Sequence, residues 1–306
     1  MRFAISIPQF YADGEFDPAA FRAYVTRAEE LGFESGWTQE QVLGSMPNLG
    51  PIETMTYAAA CTERLRLGCA VFVSTLHNPL HLAKSVSSLD QISRGRLEVG
   101  LGSGGRGRAF AAFGVDTDAF IARFTEGIRL MKACWTESEI IFPGRFWQLD
   151  GAAMEPKPFQ KPYPPLWLGG NHPNAVSRAV RYGDGFFGAG SQTTAQFADQ
   201  VRIVRQTLAE NGRDPRDFRI AKRVYIAVDD DAARARKRIT DALNRLYGRS
   251  GGDDLTPVAV FGPPDQCVGA LREVAEAGAE MILFTPLFDQ AKQMERLAAE
   301  VMPHLS

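Results

Sequence analysis

Apolar runs rich in Val, Ile, Leu and Phe recur at residues 2–8, 35–40, 65–73, 97–102, 165–169, 184–188, 219–228 and 280–285, each with the short, β-branched look of a buried strand. Amphipathic helical patterns fall at 18–31, 53–64, 80–92, 119–135, 174–182, 195–210, 231–247 and 265–277, and apart from the last region they alternate with the strands one for one. This alternation limits the fold more than any other feature of the chain. Parallel strands must be joined by crossovers, helices are the usual crossover, and eight such units over 306 residues are the pattern of a closed ring. The reading is an α/β chain forming one (β/α)8 TIM barrel domain over residues 1–306, with insertion loops at its C-terminal face. A doubly wound open sheet is the alternative.

Helix punctuation agrees with these boundaries. Asp17-Pro18 supplies a capping carboxylate followed by proline at the first helical position, and Gly32 and Gly278 stand where helices stop. Asp265, after Pro263-Pro264, is expected to cap the last helix. Two long interruptions stand out. Residues 136–163 hold Phe142-Pro143-Gly144-Arg145-Phe146, a turn between two apolar arms, and read as a hairpin excursion. Residues 249–264, rich in Gly and Asp, read as a mobile loop.

A formal charge of −2, from 34 basic and 36 acidic residues, provides no field for nucleic acid. No segment reaches the roughly 18 unbroken apolar residues of a membrane span, and Met1 leads directly into a strand pattern, so a cytoplasmic protein is expected. Cys61, Cys69, Cys134 and Cys267 lack close C-x-x-C spacing and read as reduced thiols, with no metal site. His77 and His81 can share a helix face, but no H-E-x-x-H pattern surrounds them, and helix-start or packing roles fit them better.

In PPLWLGGNHPNAVSRAVRYGDGFF, residues 164–187, a strand breaks at Gly169-Gly170-Asn171 into a helix. Glycines let backbone N–H groups approach an anion, and a helix N-terminus adds unpaired donors. The segment reads as a phosphate cradle, with an ordinary strand-to-helix turn as the alternative. Gly100-Leu101-Gly102-Ser103-Gly104-Gly105 fits G-x-G-x-x-G, yet it follows the fourth strand and runs on into Arg106-Gly107-Arg108 instead of opening a helix, so a dinucleotide fingerprint is rejected. At the end of a barrel strand those glycines can underlie a flat ligand, with Arg106 and Arg108 either meeting anionic groups or simply solvated. No G-x-S-x-G elbow or G-x-x-x-x-G-K-[ST] loop occurs, and Lys222 lies inside a strand rather than at a Schiff-base position at its end.

Six segments, in order, resemble the bacterial luciferase-like flavin and deazaflavin oxidoreductases: FAISIPQF, AEELGFESGWTQEQ, CTERLRLGCAVFVSTLHNPLHLAK, LDQISRGRLEVGLGSG, MEPKPFQKPYPPLWLGGN and GPPDQCVGALREVAEAG. The resemblance spans nearly the whole chain and implies the same barrel, with a cofactor in the mouth at the C-terminal strand ends. It implies a non-proline cis peptide at Ala70-Val71 under the ring, with Val73, Gly102, Ser103, Gly104 and Gly105 bordering it. It also implies phosphate binding by Gly169, Gly170 and Asn171, with Arg123 reaching the same anion. Where many relatives carry Asp-His, this chain has Glu40-Gln41, so a mechanism needing that histidine, as in deazaflavin sugar-phosphate dehydrogenases, does not fit. Glu40 is expected to hydrogen-bond the ring or move a proton, and Gln41 to position ring or substrate. The cofactor implied is coenzyme F420, for hydride transfer with a small organic substrate. Reduced FMN, for a monooxygenase, is the alternative, and a non-catalytic flavin carrier is a further one. Phe10, Tyr11 and Trp37 with the 136–163 excursion are expected to wall an apolar pocket, and a homodimer is expected through faces of the second and third helices.

Overall fold

The computed structural model describes residues 1–11, 15–44, 46–105, 108–247 and 255–305. Its elements in order are β1 (Arg2–Ser6), α1 (Pro18–Glu30), β2 (Ser35–Thr38), α2 (Pro51–Cys61), β3 (Arg66–Val73), α3 (Pro79–Ile92), β4 (Leu97–Gly102), α4 (Arg108–Ala112) and α5 (Phe120–Thr136). There follow β5 (Ile140–Pro143), β6 (Gln148–Ala152), β7 (Leu166–Leu168), α6 (Pro173–Tyr182), β8 (Gly185–Gly188), α7 (Thr194–Glu210), β9 (Arg219–Val228), α8 (Ala232–Tyr247), β10 (Ala259–Gly262), α9 (Pro264–Glu276), β11 (Met281–Thr285) and α10 (Gln290–Arg296). Strands β1, β2, β3, β4, β7, β8, β9 and β11 pair in parallel, and the β8–β9 pairing closes them into an eight-stranded barrel. No described helix is long and apolar enough to cross a membrane.

The local sequence explains the helix ends. Asp17 accepts from the N–H groups of Ala19 and Ala20 at 2.8 and 3.1 Å, with Pro18 at the first helical position. Gly32 and Gly278 take φ of +83° and +112° where α1 and α9 end, a region that favours glycine. Asp265 does not cap α9: Pro263 holds the cap position without a side-chain bond, and Asp265 lies in the first turn, where its charge opposes the positive helix end.

What fills the barrel determines where a ligand can go. At the N-terminal end, Glu98 is fully buried and accepts from Arg66 Nε at 2.6 Å and from the Trp167 indole, while Arg2 pairs with Glu34 beside it. Above this polar plug, Trp37, Trp167 and Phe187 pack edge to face, with the Trp37 and Phe187 rings 4.8 Å apart. The fit depends on Gly68 and Gly185, where an added Cβ would stand 2.5 Å from Trp37 and 2.6 Å from Trp167. Among the described residues the lumen is therefore filled up to this layer, and the open lobes lie above it at the C-terminal mouth.

Two elements differ from the sequence expectation. Residues 140–152 do form a hairpin, but it runs up the outside of α5, its tip held by Glu126, which accepts from the N–H groups of Phe146 and Trp147 at 2.7 and 3.2 Å. Among the described residues lining the mouth, none comes from it, so it does not wall the pocket. The second interruption contains β10, a short strand that pairs in parallel with the upper half of β9. Residues 249–254 of that expected mobile loop lie outside the described residues.

Candidate active site

The mouth holds two adjoining lobes. The smaller, about 330 Å³, is lined by Ala70 and Val71 of β3, Gly102–Gly104 after β4, Gly169–Asn171 after β7 and Gly188–Ser191 after β8. The larger, about 740 Å³, is walled mainly by apolar side chains, among them Phe10, Tyr11, Trp37, Leu287 and Phe288. Arg223 and Tyr225, successive lumen-facing residues of β9, border both. A still larger concavity, about 1360 Å³, lies between α1 and α10 on the outer wall and is shallow and open.

The Ala70-Val71 peptide is cis, and the β3–β4 register slips between Cys69 and Phe72. Gly100 and Gly102 allow this path, since a Cβ at 100 would stand 2.1 Å from the Cys69 carbonyl and one at 102 would stand 2.6 Å from Val71 Cγ2. Arg223 fixes the same ledge from across the mouth, donating to the Ala70 carbonyl at 3.0 Å and to Gln39 Oε1 at 3.1 Å. Thr75 Oγ1 donates to the Ser103 carbonyl at 2.9 Å and steadies the glycine segment.

At the opposite end, α6 begins just past Gly169-Gly170-Asn171, and the His172 ring caps it by accepting from Asn174 N–H at 3.2 Å. Among the described residues nothing accepts from the N–H groups of Gly170 and Asn171. Two amides without an acceptor among the described residues thus border a glycine-walled cavity, an arrangement suited to a phosphate. A flavin-type cofactor fits this lobe, with a flat ledge for a ring at one end and free amide donors for an anion at the other.

The remaining sequence-predicted residues divide. Ala70, Val71, Gly102, Ser103, Gly104, Gly169, Gly170 and Asn171 line one lobe together. Gly105 is exposed and outside that lining, Arg106 lies outside the described residues, and Arg108 opens α4 with only its backbone described. Val73 sits behind the ledge, where its N–H donates to Glu40 Oε2 at 2.6 Å. The other oxygen of Glu40 meets His77 Nε2 at 2.7 Å. The Glu40 carboxylate is thereby turned out of both lobes and ties the end of β3 to the start of α3. Gln41 is exposed and folds back beside Gly44. Arg123 does not reach the phosphate turn: its guanidinium lies 4.8 Å from the Trp147 ring and 5.1 Å from Phe146, held by cation–π attraction to the hairpin tip.

Sequence reasoning missed several residues. Arg223, Tyr225 and Tyr247 line the smaller lobe, with the two tyrosine hydroxyls 3.0 Å apart; burial, followed by the neighbouring Tyr225, raises the Tyr247 pKa. Lys222 points the other way, into the helix layer, donating to the carbonyls of Ala189 and Gln192 (2.9 Å for the latter). It is 2% exposed, and burial, helped by the charge of Arg223, pushes its pKa down to about 7. It braces the 189–192 loop from outside the lumen and is no Schiff-base lysine.

Comparison with known proteins places the fold in a family. The model of the luciferase-like monooxygenase family matches residues 1–281. An F420-dependent glucose-6-phosphate dehydrogenase of Amycolatopsis mediterranei is 23% identical over 95% of this chain and 96% of its own length. An F420-dependent secondary alcohol dehydrogenase superposes with a TM-score of 0.86 at 17% identity, covering 100% of this chain and 99% of its own. The oxygenating constituent of 3,6-diketocamphane monooxygenase of Pseudomonas putida, solved with FMN, superposes with a TM-score of 0.78 at 17% identity, covering 100% and 99%. With the family model matching residues 1–281, from β1 to the start of β11, this chain belongs to the luciferase-like monooxygenase family.

Proposed function

We propose that the protein is an F420-dependent oxidoreductase that moves a hydride to or from a small organic substrate held in the apolar lobe. The observation that carries this reading is the convergence, in one lobe, of the Ala70-Val71 ledge, the Gly102–Gly104 segment and the free N–H groups of Gly170 and Asn171, opening onto a second lobe of the right character for a substrate. Bound there, F420 would supply the hydride chemistry; the protein supplies position and exclusion of water.

Each residue then has a definite task. The Gly170 and Asn171 amides hold the phosphate, Ala70 and Val71 support the ring, and Arg223 keeps the Ala70 carbonyl in place. Glu40 acts on β3 through Val73 and His77, a positioning role. Tyr225, facing both lobes and hydrogen-bonded to Tyr247, holds a proton at the boundary between cofactor and substrate.

F420 is preferred over FMN because an F420-dependent relative aligns with 95% of the chain. The monooxygenase reading with reduced FMN is supported by the fold shared with the FMN-bound enzyme of Pseudomonas putida. Anaerobic difference spectra of the purified protein titrated with each cofactor separate the two. Saturable F420 binding is expected, and preference for FMN would overturn the assignment. Oxidation of reduced F420 that requires both protein and an organic acceptor is expected as well; binding without any such turnover would reduce the protein to a carrier.

A further inference from the structure

Ser6 and Thr285 end the neighbouring strands β1 and β11, and the register that pairs Ile5 with Phe284 sets them side by side. Both face the lumen, following Ala4 and Leu283 in alternation, and both line the apolar lobe. Their hydroxyl oxygens are shielded from solvent and have no hydrogen-bond partner among the described residues. Of the nearby polar groups, the Asn48 amide, bridged through its backbone to Phe10, is also buried without a partner among the described residues, whereas Gln9 and Gln39 are committed. Gln9 donates to the carbonyls of Gln39 and Leu49 and accepts from Gln39 N–H at 2.6 Å, while Gln39 Oε1 accepts from Arg223. Adjacent hydroxyls without a partner, at the base of a chamber walled in large part by Phe10, Tyr11, Trp37, Leu287 and Phe288, are an unfilled requirement for an oxygen atom.

We propose that Ser6 and Thr285 form the oxygen-binding floor of the larger lobe, and that its ligand is a small apolar molecule carrying one carbonyl or alcohol oxygen. Each hydroxyl both donates and accepts. Two donated bonds suit a carbonyl, and one donated with one accepted suit an alcohol, so a rotation of each hydroxyl adapts the floor to either oxidation state. No hydrogen bond among the described residues holds the hydroxyls in their present rotamers, and the proposal requires a χ1 rotation of the half-buried Ser6 to present its oxygen to the lobe. Arg223, Arg245 and Asp289 also line the lobe, but Arg223 donates to Gln39 and Ala70 and Asp289 accepts from Arg238, and the floor itself offers two neutral hydroxyls, which suit a neutral oxygen better than an ionised one. The choice of a carbonyl–alcohol pair rests on the hydride-transfer reading above; the hydroxyl floor itself does not.

The test is ligand-observed NMR titration of the full chain without cofactor, using cyclohexanone, cyclohexanol, methylenecyclohexane and cyclohexanecarboxylate. Cyclohexanone and cyclohexanol are expected to bind at least tenfold more tightly than methylenecyclohexane. The Ser6→Ala/Thr285→Val double variant should abolish that preference and leave the hydrocarbon's affinity unchanged, while Thr285→Ser retains it. Because the substitutions remove unpaired hydroxyls, the double variant should melt no lower than wild type. An unchanged ketone preference in the double variant, no preference in wild type, tighter binding of the carboxylate, or a lower melting temperature would overturn the proposal. Since cofactor is absent, failure to bind F420 in a separate titration would sink the hydride-transfer reading while leaving hydroxyl-dependent ketone binding intact.

Discussion

Replacing Gly170 by alanine tests the phosphate turn most sharply. A Cβ there would stand 2.5 Å from Ala175 Cβ, on the first turns of α6, with Ala175 Cα at 3.6 Å. Carbon atoms rest at about 3.5–4.0 Å, so the turn and the helix must part by roughly 1 Å, and alanine has no rotamer with which to yield. Overpacking of this kind costs about 1–3 kcal/mol, which lowers the melting temperature by roughly 1.5–5 °C in a domain of this size. The same displacement moves the Gly170 and Asn171 donors off the anion. Losing one charge-assisted hydrogen bond of about 1.5–3 kcal/mol weakens cofactor binding roughly 10- to 100-fold. Gly105→Ala is the control: its Cβ meets nothing within 4 Å and its φ is not positive, so binding and melting should both stay at wild-type values. The assay is F420 titration by absorbance and fluorescence alongside thermal melting. A Gly170→Ala protein that is destabilised yet binds F420 with wild-type affinity would refute the cradle.

Other consequences follow from buried charge. The pKa of Lys222, about 7 against an ordinary 10.5, means that between these values the unfolded chain carries a proton the native state lacks, so stability rises with pH across that window. Lys222→Met should remove this rise, at most about 5 kcal/mol, as read by denaturant melts from pH 7 to 10; an unaltered slope would contradict the assignment. Glu98→Ala leaves Arg66 without its carboxylate beneath the tryptophans and should cost about 3–5 kcal/mol in urea unfolding. Glu40→Gln weakens the tie to Val73 and His77, and should loosen F420 binding about tenfold with little change in melting temperature; intact binding with lost turnover would instead make Glu40 a direct participant.

Much of the barrel could be read from the chain because its strands are buried on both faces and stand out as apolar runs between capped helices. The strand β10 escaped because Ala259–Gly262 is only four residues and follows a Gly- and Asp-rich stretch. In the site, the glycine turns were legible, since glycine marks close backbone approach at Gly102 and Gly170. Arg223 and Tyr225 were not. Alternation along β9 divides its residues between two faces, but only barrel closure decides that these two stand at the upper rim, facing Ala70 and Tyr247. The Glu40–His77 contact joins residues 37 apart whose meeting depends on how β2 and β3 pair, and no local pattern records it. Arg123 was misplaced for a related reason: its helix was legible, but the path of the hairpin that captures it was not.

The central claim, that one lobe of the mouth seats a deazaflavin with its ring on Ala70-Val71 and its phosphate at Gly170-Asn171, is tested most directly by a crystal structure of the protein soaked with F420. The account predicts ring density against that ledge, facing the apolar lobe, and a phosphate accepting from the Gly170 and Asn171 amides. Cofactor density in the outer groove between α1 and α10, or a phosphate seated away from the β7–α6 turn, would contradict it.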